Sequence, residues 1–235
     1  MSLHYPDPLD SARRYLTAKG EYPHQCRLRT PIGTVSPTLY SSHDMSTVNE
    51  VFCRSDYRSA RDLRVAVDIG SNIGLSALYF LTRNRSSRVY LFEPDPKNVE
   101  RLRSNLRGYE TRLQIEEVAV GISDGEESFA VETTGRYGTL VSPEIEAEQR
   151  QGAVIAVRVR RIDAILEEIL QREDRIDVLK IDTEGTEREL VEAIPRHLLE
   201  RISTIYYETN EPMPLHEDRY RFHYSCQTNR LMART

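Results

Sequence analysis

Between residues 63 and 207 the chain repeats one unit, a short β-branched run followed by a stretch with helical apolar spacing, and this alternation restricts the fold more than any other feature. The β-prone runs fall at 64–68, 88–92, 113–120, 153–159, 176–181 and 202–207. They are too apolar to face water, so they call for a mostly parallel sheet covered on both sides by crossover helices. Helical spacing follows at 75–81, at Val99, Leu102 and Leu106, and at Ile162, Ile165, Leu166 and Ile169. Asp95 is placed to cap the second of these helices, with Pro96 at its first position. A further helix after Gly185 would open on a capping box of Thr186 and Glu189 and close at Pro195. The expected fold is α/β, a doubly wound, mostly parallel, Rossmann-like sheet. Residues 219–224 and 227–232 would pair as a C-terminal antiparallel hairpin at its edge. Residues 1–62 are polar and proline-bearing with weak helical signals at 8–16 and 46–52, and read as an N-terminal lead-in or lid to a domain over 63–235.

Composition narrows the class of partner. The 235 residues, 39% hydrophobic and 29% charged, suit one globular domain. No apolar run approaches a bilayer span, and the start MSLHYPDPLD lacks the basic and apolar parts of a signal peptide, so a soluble, cytosolic protein without membrane contact is expected. Cys26, Cys53 and Cys226 are scattered, forming neither a disulfide framework nor a zinc set. The net charge is -5 with mixed signs, and the basic stretches at 58–64 and 158–161 are short. They read as solvated faces, not as a nucleic-acid footprint. Association into a homo-oligomer is left open.

Ligands of such sheets bind beyond the carboxyl ends of the strands. Four of these ends carry an acid: Asp68, Glu93, Asp182 and Glu208. After Asp68 comes the turn Ile69-Gly-Ser-Asn-Ile-Gly74, where Gly70 and Gly74 let backbone approach a ligand closely. Glu93, ending the next strand, can accept from both hydroxyls of an adenosine ribose. A nicotinamide dinucleotide and S-adenosylmethionine both place a ribose there. Against the first, the glycines have GxxxG and not GxGxxG spacing, and Asp68 would repel a pyrophosphate while attracting an ammonium or sulfonium.

Val67-Asp-Ile-Gly-Ser-Asn-Ile-Gly74, Leu91-Phe-Glu-Pro94, Ala119-Val-Gly-Ile-Ser-Asp-Gly125 and Leu179-Lys-Ile-Asp-Thr-Glu-Gly-Thr-Glu187 occur in an order and spacing that resembles the FkbM-type methyltransferases. The resemblance covers about 46–210, with Asn49-Glu-Val-Phe52 as a weaker lead-in match. It implies S-adenosylmethionine as methyl donor and, as partner, a small-molecule hydroxyl acceptor, a sugar or secondary metabolite. It further implies a cofactor site of Asp68, facing the ammonium, the loop Gly70, Ser71, Asn72 and Gly74 with Ser76 beyond it, Glu93 on the ribose, and Ala119 and Asp124 near the adenine. Asp124 reads equally as a turn residue. The flanks match nothing, and would shape the acceptor site.

An alcohol is a weak nucleophile near neutral pH, so transfer to it needs a base or a metal. Lys180 and Asp182 project from one face of one strand, and a buried lysine demands a carboxylate partner. Asp182 therefore reads as a buried ion-pair partner, a general base or a metal ligand, and these are not exclusive. Glu184 and Glu208 could complete a magnesium site with it, although Glu184 also suits a helix N-terminus. Glu208 and His43 are the other candidate bases, with His223 behind them. Of Tyr206 and Tyr207, strand alternation allows one at most to line the acceptor pocket. Two rival readings remain at this point, an NAD-dependent oxidoreductase and a non-catalytic binding module on the same fold.

Overall fold

The computed structural model describes residues 4–131, 138–140 and 153–234. The central sheet has seven strands: β1 Val65–Ile69, β2 Arg88–Phe92, β3 Leu113–Glu116, β4 Ile176–Ile181, β5 Ile202–Glu208, β6 Tyr220–Ser225 and β7 Thr228–Ala233. Their order is β6-β7-β5-β4-β1-β2-β3. The five strands from β5 to β3 are parallel, and β7 and β6 add antiparallel as the expected hairpin on the β5 edge.

Helices α1 Leu75–Leu81, α2 Pro96–Asn105, α3 Ile162–Arg172 and α4 Glu187–Glu192 divide between the two faces. Val65, Val67 and Ile69 of β1 pack with Ile165, Leu166 and Ile169 of α3 and with Leu190 of α4. Ala66, between them in sequence, packs on the opposite face with Leu78 of α1 and Leu102 of α2. This is the doubly wound arrangement that period-two alternation in apolar parallel strands requires. Asp95 caps α2 as expected, accepting the Lys97 amide at 2.9 Å with Pro96 in the first turn.

Every residue of α1 is buried, because the sheet covers one side and the lead-in segment the other. Tyr5, Leu28, Leu39, Met45, Val48 and Phe52 join the same core cluster as α1. The segment contains a helix at Pro8–Thr17 and another at Ser42–Val48 that continues as a π-helix over Asn49–Arg54. The second opens on a capping box, Ser41 with Asp44. No helix among the described residues is long and apolar enough to cross a membrane.

Two expectations change. The run at 113–120 is two strands: β3 stops at Glu116, and Ala119–Gly121 leaves for a second, four-stranded sheet with Ala153–Arg161, Gly125–Val131 and Gly138–Leu140. Residues 125–131 form a strand of that sheet although Glu126, Glu127 and Ser128 have weak strand preference. Cross-strand pairing overrides that, with Glu126 opposite Arg158 and Phe129 opposite Ile155. The expected capping box of α4 is also absent, because Thr186 makes no side-chain cap. Glu184 and Gly185 both take positive φ, and the turn directs the amides of Thr183 and Gly185 to the Glu187 carboxylate at 2.7 and 3.0 Å.

Candidate active site

The carboxyl ends of β1, β2 and β4 meet at the glycine turn. Gly70 has φ +75, and a Cβ there would lie 1.8 Å from the Asp182 carbonyl oxygen, so only glycine lets the β1 and β4 loops touch. The amides of Gly70 and Ser71 both point at the Phe92 carbonyl, at 3.0 and 3.1 Å, tying the loop to β2. One step on, the Asn72 amide donates to Glu93 Oε2 at 2.8 Å, and the Asp95 amide to Oε1 at 3.0 Å. Each carboxylate oxygen keeps a second lone pair for a ligand. Burial pushes the Glu93 carboxyl up to about 7, although the two amides favour its ionised form.

Glu93 borders a cavity of about 660 Å3, open solvent included, that runs between the loop and the second sheet. Its far wall is Val118, Ala119, Val120 and Phe129, with Asn98 of α2 on the floor. A carboxylate beside glycine backbone at one end and an apolar, ring-bearing slot at the other fit an adenosine.

Beneath the loop lies a buried charge cluster. Lys180 and Asp68 are register partners on adjacent strands, and their side chains meet at 3.0 Å. The ammonium also reaches Asp182 at 3.3 Å and donates to the Gly70 carbonyl at 2.8 Å. Burial alone would drive the lysine neutral, but Asp68 and Asp182 outweigh it and hold its pKa above the ordinary value. Asp68 is 0% exposed and its second oxygen accepts from Ser76 at 2.6 Å. Desolvation raises its pKa against the opposing pull of Lys180.

A second cavity, about 1800 Å3 with open solvent, continues from the first and shares Gly70, Asn72, Asp182 and Glu184 with it. One wall is the Ser42–Val48 helix and its π-helical extension, presenting His43, Thr47, Glu50 and Val51; the other is Thr209, Asn210, Met213 and Gln227 after β5. At the base Glu208 accepts a hydrogen bond from Tyr57. Desolvation, with the negative charge of Asp182 next, pushes Glu208 up to about 8. That places a carboxylate of near-neutral basicity in a cavity contiguous with the adenosine-sized one.

The structure thus brings Asp182, Glu184, Glu208, His43, Gly70, Ser71, Asn72, Ser76, Glu93 and Ala119 to one continuous cleft. Several expectations are corrected. Asp68 lines neither cavity; its two oxygens meet Lys180 and Ser76. Asp124 is a turn residue, exposed and accepting the Arg161 amide at 3.0 Å. Among the described residues no three His, Cys, Asp or Glu side chains converge to hold a metal, so Asp182, Glu184 and Glu208 form no magnesium set. The cation beside Asp182 is Lys180. His223 sits exposed on β6, away from both cavities. Neither Tyr206 nor Tyr207 lines the cleft, because their hydroxyls bond to the Arg58 and Met213 carbonyls. Sequence reasoning missed Tyr57, Asn98 and Phe129. Asn98 had a signal, since the Asp95-Pro96 cap places it in the first turn of α2; Tyr57 and Phe129 had none.

The model of the methyltransferase FkbM domain matches residues 68–227. A methyltransferase sdnD of Sordaria araneosa is 27% identical over 171 residues, covering 62% of this chain and 66% of its own. The 2-O-methyltransferase NoeI of Sinorhizobium fredii is 27% identical over 158 residues, covering 63% of each. A crystal structure of a methyltransferase FkbM from Methylobacillus flagellatus superposes with a TM-score of 0.46 at 20% identity, over 68% of this chain and 36% of that one. The chain spans less than two thirds of the length of the curated relatives it matches. The family match removes the nicotinamide-dependent oxidoreductase from contention.

Proposed function

Because this chain belongs to the FkbM methyltransferase family, we propose that it transfers a methyl group from S-adenosylmethionine to a hydroxyl of a small molecule, a sugar or secondary metabolite. The observation that carries the reading is the continuity of the two cavities, with the Glu93 carboxylate in one, Glu208 in the other and Asp182 at their boundary. The relatives named for O-methylation and methylation lend the reaction class.

The cofactor supplies an electrophilic methyl on a sulfonium that is already a good leaving group, so the protein has to align the acceptor and remove its proton. Glu93 holds the ribose, the Gly70–Asn72 backbone the methionine part, and the wall of Ala119 and Phe129 the adenine. Asp182, 29% exposed and open to both cavities, faces the cationic end of the cofactor in place of Asp68. Asp68 acts indirectly, by fixing Lys180 and hence the Gly70 carbonyl. Glu208 is the general base, because its raised pKa makes it a better proton acceptor than a solvated carboxylate, and Tyr57 orients it. His43, exposed at the mouth, stands behind it.

The test pairs two substitutions and two readouts. Glu208→Gln should keep S-adenosylhomocysteine binding by calorimetry while formation of that product from S-adenosylmethionine collapses with any accepted hydroxyl compound; Asp182→Asn should weaken cofactor binding as well. A wild-type protein that binds neither S-adenosylmethionine nor S-adenosylhomocysteine sinks the proposal. One that binds both but turns over no acceptor is the non-catalytic module instead.

A further inference from the structure

Two carboxylates stand side by side where the cavities meet. β4 and β5 run parallel in register, Lys180 beside Tyr206 and Ile181 beside Tyr207, so Asp182 and Glu208 follow as neighbours on strands ~4.8 Å apart. Alternation puts Asp182 on the face of Lys180 and Glu208 on that of Tyr206, and both line the larger cavity. Their surroundings differ. Asp182 has the Lys180 ammonium at 3.3 Å. Glu208 has the neutral Tyr57 hydroxyl donating to it and Thr228 of β7 on its other side, while Arg230, two positions along β7, lies over the Tyr206 ring at 5.4 Å. Glu50 of the facing π-helix adds a further negative charge, and Glu184, Glu187 and Arg188 line the cavity beyond Asp182. Tyr57 and Lys180 favour the ionised form of Glu208, but desolvation, and then the charge of Asp182, outweigh them. A proton held by the pair therefore rests on Glu208.

We propose, resting on the transfer reading above, that Asp182 and Glu208 form a carboxylate pair that keeps a proton in the unliganded cleft and releases it to solvent when the positively charged sulfur of S-adenosylmethionine enters, so that the general base forms in the cofactor-loaded protein. A cation beside Asp182 offsets the like charge that Glu208 would otherwise meet on ionising, and in a partly buried pair this lowers the proton affinity about tenfold. The larger cavity opens to solvent beside the exposed His43, which gives the proton a way out. Glu208, once ionised, takes the acceptor hydroxyl proton while the oxygen bonds to the methyl carbon and the carbon–sulfur bond leaves its electron pair on sulfur. The positive charge at sulfur and the negative charge on Glu208 vanish together, and the pair returns to the protonated form it prefers beside a neutral sulfur. An acceptor that enters before the cofactor meets Glu208 largely as an acid, so loading and deprotonation are coupled.

Proton release on binding tests the proposal without an acceptor. S-adenosylmethionine and S-adenosylhomocysteine are each titrated calorimetrically into the whole chain at about pH 7.5, in phosphate and in Tris, whose ionisation enthalpies differ, and the titrations are repeated with Glu208→Gln. The variant cancels protons exchanged by Glu93 and by the ligand's amine. With S-adenosylmethionine the wild type should release about half a proton more than Glu208→Gln, the amount expected when a group at about 8 moves to about 7, and with S-adenosylhomocysteine much less. Asp182→Asn should shrink the release, since Glu208 then ionises more readily before the cofactor arrives. Equal release from wild type and Glu208→Gln, or as much with S-adenosylhomocysteine as with S-adenosylmethionine, overturns the proposal and leaves the transfer reading intact. Should Glu208→Gln not fold, carbon-13 carboxyl spectra of the wild type decide: a glutamate titrating at about 8 must move about one pH unit lower with S-adenosylmethionine and hold its place with S-adenosylhomocysteine, and any other pattern overturns the proposal. Binding of neither ligand removes the transfer reading itself, and this inference with it.

Discussion

On the transfer reading proposed above, the cleft divides into a cofactor half and an acceptor half, and the two are built by different means. The cofactor half is made by strand ends and the glycine turn: Gly70, Glu93 and Asp182 stand at the carboxyl edges of β1, β2 and β4, and their positions follow from the sheet. The acceptor half is assembled from segments far apart in sequence, His43 to Tyr57 on one side and Glu208 to Gln227 on the other. The first half constrains backbone and so tolerates little change. The second is a lining of side chains that can be exchanged without disturbing the sheet, as expected where a common cofactor meets variable acceptors.

If that contrast is right, the largest losses come from the cofactor half. Glu93→Ala removes two charge-assisted hydrogen bonds to the ribose, about 1.5 to 3 kcal/mol each, so calorimetry with S-adenosylhomocysteine should show a Kd raised by two orders of magnitude or more. Unchanged affinity in the folded variant would place the adenosine elsewhere. Lys180→Met comes next, and its effect is on the fold. It strands Asp68, wholly buried, and should cost about 3 to 5 kcal/mol in denaturant unfolding. Adding Asp68→Asn should return part of that loss, because no buried charge is then left alone. A Lys180→Met protein as stable as wild type would show that the ion pair contributes little.

A smaller effect, about 100-fold or more on turnover, belongs to Glu208→Gln. Its signature is specific to the acceptor half: turnover falls while the Kd for S-adenosylhomocysteine changes little. The wild-type pH profile of kcat/KM should rise toward a pH of about 8, where Glu208 ionises, and the variant should lose that rise. A variant with normal turnover would move the base to Asp182 or His43.

The difference between the halves also explains how far the sequence could be read. Glu93 and the glycine turn were legible as positions because their spacing is local and strand ends fix where they stand. Asp68 was correctly placed on its strand, but its contact with Lys180 was not legible, since it depends on β1 and β4 being neighbours in register, and strand order is not written in local sequence. The Lys180–Asp182 pair was visible because it lies within one strand. Tyr57, in contrast, reaches Glu208 across 151 positions, and no period or cap announces it. Phe129 was hidden behind Glu126 and Glu127 in a stretch whose strand state comes from pairing with 153–159 and 138–140.

The smallest expected effect is a pH dependence confined to the cofactor half. Glu93 titrates at about 7 in the folded protein, well above the ordinary 4.5, because burial penalises its ionised form. The unliganded fold therefore favours the protonated acid, and this contribution to stability weakens as pH rises from about 4.5 to 7. Ribose binding has the opposite preference, since both hydroxyls donate and a carboxylate can accept both. Binding then releases a proton below pH 7, and affinity for S-adenosylhomocysteine should rise about fivefold from pH 6 to pH 7, about twofold more above it, and then level off, following the ionised fraction of a group at about 7. Glu208, at about 8, titrates later and faces the other cavity, so the two steps separate on the pH axis. Glu93→Gln should flatten the lower step and leave any upper one. Affinity that is flat between pH 6 and 7, or stronger at pH 6, would mean that Glu93 binds in its protonated form, and the ribose would then have to be held by its carbonyl oxygen and the neighbouring amides alone.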